Sequence, residues 1–136
     1  MKPYKLEHSI KLFTVTASSF PEGIGDAYQK IHSFDPGNES RRCFGLSKPN
    51  KKGELIYKAA AEELNEGETE KFNCEPFIIE AGNYITLEVH NYMDDMQKIG
   101  DAFHMLLKHP DIDPDAHCIE WFQDRVDLIC MVKLKD

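Results

Sequence analysis

The sequence has no run of ~18 apolar residues, the length a bilayer-spanning helix needs, so no membrane contact is expected. Its first residues, MKPYKLEHSIKLF, lack an apolar stretch followed by a small-residue cleavage site. No secretory signal is read there, and a cytoplasmic location is the expectation. Basic residues are in the minority: 16 Lys and Arg against 24 Asp and Glu leave a net charge of −8. That balance disfavours phosphate backbones and argues against direct nucleic acid binding. It weakly favours cationic ligands, with simple solubility as the blander reading.

Glycine-rich phosphate loops, dinucleotide fingerprints and the nucleophile-elbow pattern are all absent. Cys43, Cys74, Cys118 and Cys130 form no C-x-x-C pair, and most sit in apolar strand-like segments, so free buried thiols are expected. His90, His104 and His117 show neither i, i+4 pairing nor a zinc-type spacing. Asp111, Asp113 and Asp115 open like a calcium loop, but Pro114 interrupts it, and the required glycine and terminal acid are missing. No metal and no cofactor are implied.

What is present is one domain's worth of chain, 1–136, with 41% apolar and 29% charged residues. Ile10–Thr16 is β-branched and reads as a strand. Pro21 suits the first position of a helix, with Glu22 in its first turn. Ile24, Ala27, Tyr28 and Ile31 then fall on one helical face, ended by Asp35-Pro36-Gly37-Asn38. Strands are expected around 42–47 and 55–60, joined by a turn at 48–53. Asn65 to Asn73 has no periodicity and reads as a linker.

The second half runs in the same order. Tyr84 to Tyr92 is a strand, Asp94 or Asp95 can cap a helix carrying Met96, Ile99, Ala102, Phe103, Leu106 and Leu107, and Pro110 stops it. Cys118–Phe122 and Val126–Leu134 are strands around a tight turn at 123–125. Shifting the chain by 75 residues sets Ile24-Gly25-Asp26-Ala27-Tyr28 on Ile99-Gly100-Asp101-Ala102-Phe103, and Cys43 on Cys118. We read an internal duplication, with halves at about 8–63 and 74–135. The fold expected is α+β: an antiparallel sheet with two helices on one face, a tandem strand–helix–strand–strand repeat with pseudo-twofold symmetry, and a ligand groove along the axis.

Glu120 stands out. Ile119 and Trp121 point to one side of its strand, and Cys118 and Phe122 share the other side with it, so both faces are apolar. A carboxylate there must be paired, protonated or waiting for a ligand, because burying it alone costs several kcal/mol. A solvent-facing edge glutamate is the blander alternative. Its counterpart under the 75-residue shift is Gly45, so the first half carries no equivalent acid.

Phe44-Gly45-Leu46-Ser47, Gly53-Glu54-Leu55-Ile56-Tyr57, Glu80-Ala81-Gly82-Asn83-Tyr84, Ile99-Gly100-Asp101-Ala102-Phe103 and Cys118-Ile119-Glu120-Trp121-Phe122 follow a recognisable order and spacing. Together they resemble the gyrase-inhibitor-like family, also described as the AraC-type bacterial transcription-activator effector-binding domain. The resemblance runs from about Lys11 to Lys135. It implies a ligand cleft between two modules, with a glutamate on the penultimate strand at its floor, matching Glu120. Relatives often bind cationic, aromatic, drug-like compounds there, and some hydrolyse cyclopropane-bearing natural products with the same acid.

Many members carry a tyrosine just after this glutamate. Trp121 and Phe122 stand there instead, so the expected phenol is missing. The expected ligand-binding set is Glu120, Trp121, Phe44, Tyr84 and Phe122. A stand-alone small-molecule sensor or sequestering module is the leading reading. The alternatives are a hydrolase using Glu120 and a protein-interaction module of gyrase-inhibitor type.

Overall fold

The structure is a computed structural model that describes residues 1–37 and 40–135. Asn38, placed by the sequence at the end of the first helix, and Asp136, the last residue of the expected domain, lie outside the described residues.

Eight strands form one antiparallel sheet: β1 (Lys2–Leu6), β2 (Ile10–Thr16), β3 (Cys43–Pro49), β4 (Leu55–Glu62), β5 (Glu75–Ile79), β6 (Gly82–His90), β7 (Cys118–Phe122) and β8 (Asp127–Lys133). Their order across the sheet is β1-β6-β8-β7-β3-β4-β2-β5. Exchange β1–β4 with β5–β8 and the order reads the same from the other end. The centre of this palindrome is the β3–β7 seam, where Gly45 pairs directly with Glu120.

The helices α1 (Ile24–Ser33) and α3 (Gln97–Leu106) cover one face of the sheet. Helix α1 buries Ala27 and Ile31 against Phe13, Ala59 and Ala61. Helix α3 buries Ile99, Ala102 and Leu106 against Ile85, Val89, Leu128, Cys130 and Val132. Ala27 with Ala102, and Ile31 with Leu106, repeat at the 75-residue spacing. Ile24 is only half-buried where Ile99 is buried. The sheet's other face curls round a core of Leu6, Ile10, Leu12, Phe44, Leu46, Ala60, Ile79, Tyr84, Ile119 and Met131. Burial of such side chains contributes roughly 1.5–3 kcal/mol each.

Four local expectations need correction. Residues 20–23 form a turn, with a cis bond before Pro21, and α1 starts at Ile24, so Asp26 and not Glu22 lies in its first turn. Neither Asp94 nor Asp95 is the residue flanking α3, which is Met96. Asp95 still accepts a hydrogen bond from the Gln97 backbone N–H at 3.0 Å, satisfying one free helix donor. The polar stretch 65–73 holds a one-turn helix, α2 (Glu68–Lys71), whose Glu68 is buried. Strand β1 was not expected at all. It pairs with β6 at the edge of the sheet and buries only Leu6.

Candidate functional site

Pairing register places one row of residues across the helix-covered face: Leu87, Cys130, Glu120, Gly45, Ala59 and Val15. Glu120 is the only charged member, and it sits at the middle of the sheet. Among the described residues it has no ion pair. Its partner is a phenol: Tyr57 Oη and Glu120 Oε1 share a hydrogen bond at 2.6 Å. Tyr57 comes from β4, two strands away, and can reach across only because β3 contributes no side chain at Gly45. A Cβ built there would collide with both Tyr57 Oη and Glu120 Oε1.

A second phenol completes the cluster. Tyr28, on α1, places its Oη 2.8 Å from Tyr57 Oη and 2.9 Å from the Phe44 carbonyl oxygen. Its ring meets Phe122 edge-on at 5.7 Å, and Phe122 meets Tyr92 at 5.8 Å. Burial raises the pKa of Glu120, and the Tyr57 hydrogen bond partly offsets it. Burial also pushes both phenols well above their usual range, with the Glu120 charge acting in the same direction. The Cys118 thiol is pushed up to about 11 for the same two reasons, and Cys130 is raised as well. All four cysteines are free.

A groove of about 800 Å³ opens beside this cluster. It runs between α1 and the 3-10 turn Tyr92–Asp94, with the β7–β8 hairpin at one end. Tyr28, Tyr92 and Phe122 form an aromatic wall. Arg41, already tied to Asp35 and Glu68, and Arg42, tied to Glu62, also line the groove. Glu120 itself does not line the groove. Glu120 is half-buried, and Tyr28 and Phe122, which surround it, are the members of its cluster that line the groove.

Of the five ligand-binding residues expected from sequence, the structure brings Glu120 and Phe122 together on the helix-covered face. Phe44, Trp121 and Tyr84 belong to the opposite face. The Trp121 ring stacks on Phe44 at 5.9 Å and meets Tyr4 at 6.1 Å, although the residue borders the groove. Tyr84 is 1% exposed and donates to the Glu80 carbonyl at 2.6 Å. Strand alternation separates neighbours along β7, so Trp121 cannot share a face with Glu120. Tyr28, Tyr57 and Tyr92 were not in the expected set. The signal that could have found Tyr57 was Gly45, a vacant position in register with the acid.

No group of His, Cys, Asp and Glu among the described residues is arranged to hold a metal ion. Among the described residues no helix is long and apolar enough to cross a membrane.

No family model matches the chain, and no curated protein matches it. Solved structures match over nearly its whole length. One is a protein bound to tetraphenylphosphonium, 16% identical, aligned over 97% of this chain and 93% of that one with a TM-score of 0.64. A hydrolase from Listeria innocua is 9% identical over 98% and 90% of the two chains, with a TM-score of 0.64. A Staphylococcus aureus protein described as a bacterial transcription regulation protein is 15% identical over 97% of each chain, with a TM-score of 0.59. Likeness at these identities establishes a shared fold and nothing about a ligand.

Proposed function

We propose that this chain is a small-molecule binding module, a sensor or sequestering domain of the gyrase-inhibitor-like, AraC-type effector-binding kind, whose ligands are aromatic cations. One observation carries the reading: a desolvated carboxyl at the centre of the sheet has tyrosines and a phenylalanine around it and, among the described residues, no basic partner. Retaining such a group costs stability, and a bound cation would compensate it. Aromatic faces add cation–π attraction of about 0.5–2 kcal/mol. The ligand enters the groove and reaches Glu120 by displacing the Phe122 or Tyr28 ring. That a structural neighbour was solved with tetraphenylphosphonium supports this class and suggests a probe.

Calorimetric titration with tetraphenylphosphonium and with neutral triphenylphosphine oxide tests the proposal. The cation should bind saturably, and Glu120→Gln should weaken it about tenfold or more, equivalent to ~1.4 kcal/mol, while the neutral compound changes little. Equal binding of both compounds to wild type and variant would remove Glu120 from the site.

The 2.6 Å phenol–carboxyl pair also favours a second reading, a hydrolase in which Glu120 activates water. Multiple turnover of a bound compound, abolished in Glu120→Gln with binding retained, selects it. Co-purification of a protein partner would instead select the interaction-module reading. With a net charge of −8, the chain alone is proposed not to bind duplex DNA.

A further inference from the structure

Four oxygen atoms lie in series beneath α1: Glu120 Oε1, Tyr57 Oη, Tyr28 Oη and the Phe44 carbonyl oxygen. The successive separations are 2.6, 2.8 and 2.9 Å, all hydrogen-bond distances. Three such gaps need three protons. The carbonyl at one end is only an acceptor, and each phenol carries a single proton. If Glu120 is ionised, two protons serve three gaps, and one gap is left with lone pairs facing each other across less than 3 Å. If Glu120 is a neutral acid, its O–H donates to Tyr57, Tyr57 donates to Tyr28, and Tyr28 donates to the carbonyl. Every gap is then filled, and all the bonds run in one direction, an arrangement in which each bond polarises the next.

The groups around the carboxyl include no cation among the described residues. They are Tyr57 on β4, Tyr28 on α1, Tyr92 in the 3-10 turn, Cys130 on β8 and, on its own strand, Cys118. All five are neutral groups whose own ionisation Glu120 opposes. Desolvation acts on Glu120 in the direction the proton count requires, and only the Tyr57 bond works the other way.

We infer that the ligand-free protein holds Glu120 as a neutral acid at the head of this chain, and that the site takes up a cation in exchange for that proton. This rests on the cation-binding reading above and adds its stoichiometry. When a quaternary cation binds, the Glu120 O–H bond breaks, the proton passes to solvent, and Tyr57 turns its own proton back to the carboxylate. An amine arriving as its free base accepts the same proton on nitrogen, so the bound ion pair is identical and no net proton is released. An amine already protonated in solution releases one proton on binding, as a permanent cation does, so the two classes share one pH dependence below the amine's own pKa and part only above it.

The test is calorimetric titration of the intact protein with tetraphenylphosphonium across the pH range where it stays folded, in buffers of different ionisation enthalpy. Affinity should rise about tenfold per pH unit and then level off where free Glu120 ionises. Below that point the heat should vary with the buffer as release of one proton requires. Tyr28→Phe removes one gap-facing oxygen and lets Tyr57 serve the carboxylate alone, so it should move the levelling point to lower pH. Tyr57→Phe removes the carboxylate's one donor among the described residues and should move it higher. Two phenol deletions with opposite shifts are not the mark of a merely structural role.

Binding that is independent of pH and buffer would overturn the exchange and leave the cation site standing. No binding at any pH would overturn the exchange together with the functional reading. Infrared spectra of the ligand-free protein would then decide the proton chain alone. A neutral-acid C=O stretch near neutral pH, lost in Glu120→Gln, supports it, and absence of that band overturns it.

Discussion

Gly45 lies directly opposite Glu120 across the β3–β7 seam, and the side chain it lacks is the space through which Tyr57 reaches the carboxyl. The residue that forms the site's hydrogen bond and the residue that permits it are thus on different strands. Gly45→Ala should break the Tyr57–Glu120 bond and overfill the centre of the sheet, at a cost of about 1–3 kcal/mol. Urea unfolding measures it. In a Glu120→Ala background, which removes the carboxyl collision and leaves only the Tyr57 phenol to give way, the same change should cost less. Equal costs in both backgrounds would show that the collision is not with the carboxyl.

Acid stability should depend on a different acid, the buried Glu68. Arg41 donates to both oxygens of Glu68 at 2.8 and 2.6 Å, and the Leu64 and Asn65 N–H groups donate to the same carboxylate. These bonds hold Glu68 down at about 2. A carboxyl with a depressed native pKa contributes stability above its unfolded value, near 4.5, and loses it as pH falls toward the native one. Stability should therefore decline from about pH 4.5 to about pH 2, and Glu68→Gln should flatten that decline. Arg41→Met leaves the buried carboxylate unpaired and should cost about 3–5 kcal/mol at neutral pH.

Glu120 should behave with the opposite sign. Its native pKa is raised, so the native state binds the proton more tightly than the unfolded chain. Its contribution is fully present below the unfolded pKa and is lost as pH rises through the native one. Glu120→Gln removes that loss. The difference in unfolding free energy between variant and wild type should shift toward the variant as pH rises through this window. A difference that stays constant with pH would mean the carboxyl is as well solvated folded as unfolded.

Much of this arrangement could be read from the sequence, because its strong elements are periodic. Ala27 and Ile31 in α1, and Ala102 and Leu106 in α3, mark the buried helix stripes at the same 75-residue spacing. The apolar flanks of Glu120 marked it as the residue to explain. Strand β1 was illegible because Lys2, Pro3, Tyr4 and Lys5 offer no apolar alternation, and only its docking on β6 makes it a strand. Helix α2 was illegible because Glu68 looks like a surface residue until Arg41, far along the chain, pairs with it. Tyr57 and Tyr28 could not be placed in the site by spacing. Their meeting depends on the order β7-β3-β4 and on α1 crossing above β4. Grouping Trp121 with Glu120 followed proximity in sequence, whereas strand geometry puts adjacent residues on opposite faces.

That division of faces gives the last prediction. Phe122 packs with Tyr28 and Tyr92 in the groove wall, while the Trp121 ring packs on Phe44 and Tyr4 on the far side of the sheet. Phe122→Leu keeps the volume largely filled and removes one aromatic face from the groove. An aromatic contact is worth about 0.5–1.5 kcal/mol beyond its buried area, so tetraphenylphosphonium should bind roughly 2- to 10-fold more weakly. Trp121→Phe removes part of a stacked pair in the core and should lower the unfolding free energy by a comparable amount, with tetraphenylphosphonium affinity unchanged. Circular dichroism must follow the unfolding, because Trp121 is the only tryptophan in the chain. If Trp121→Phe weakens the cation and Phe122→Leu does not, the ligand sits on the face away from the helices, and the groove between α1 and the Tyr92 turn is not the binding site.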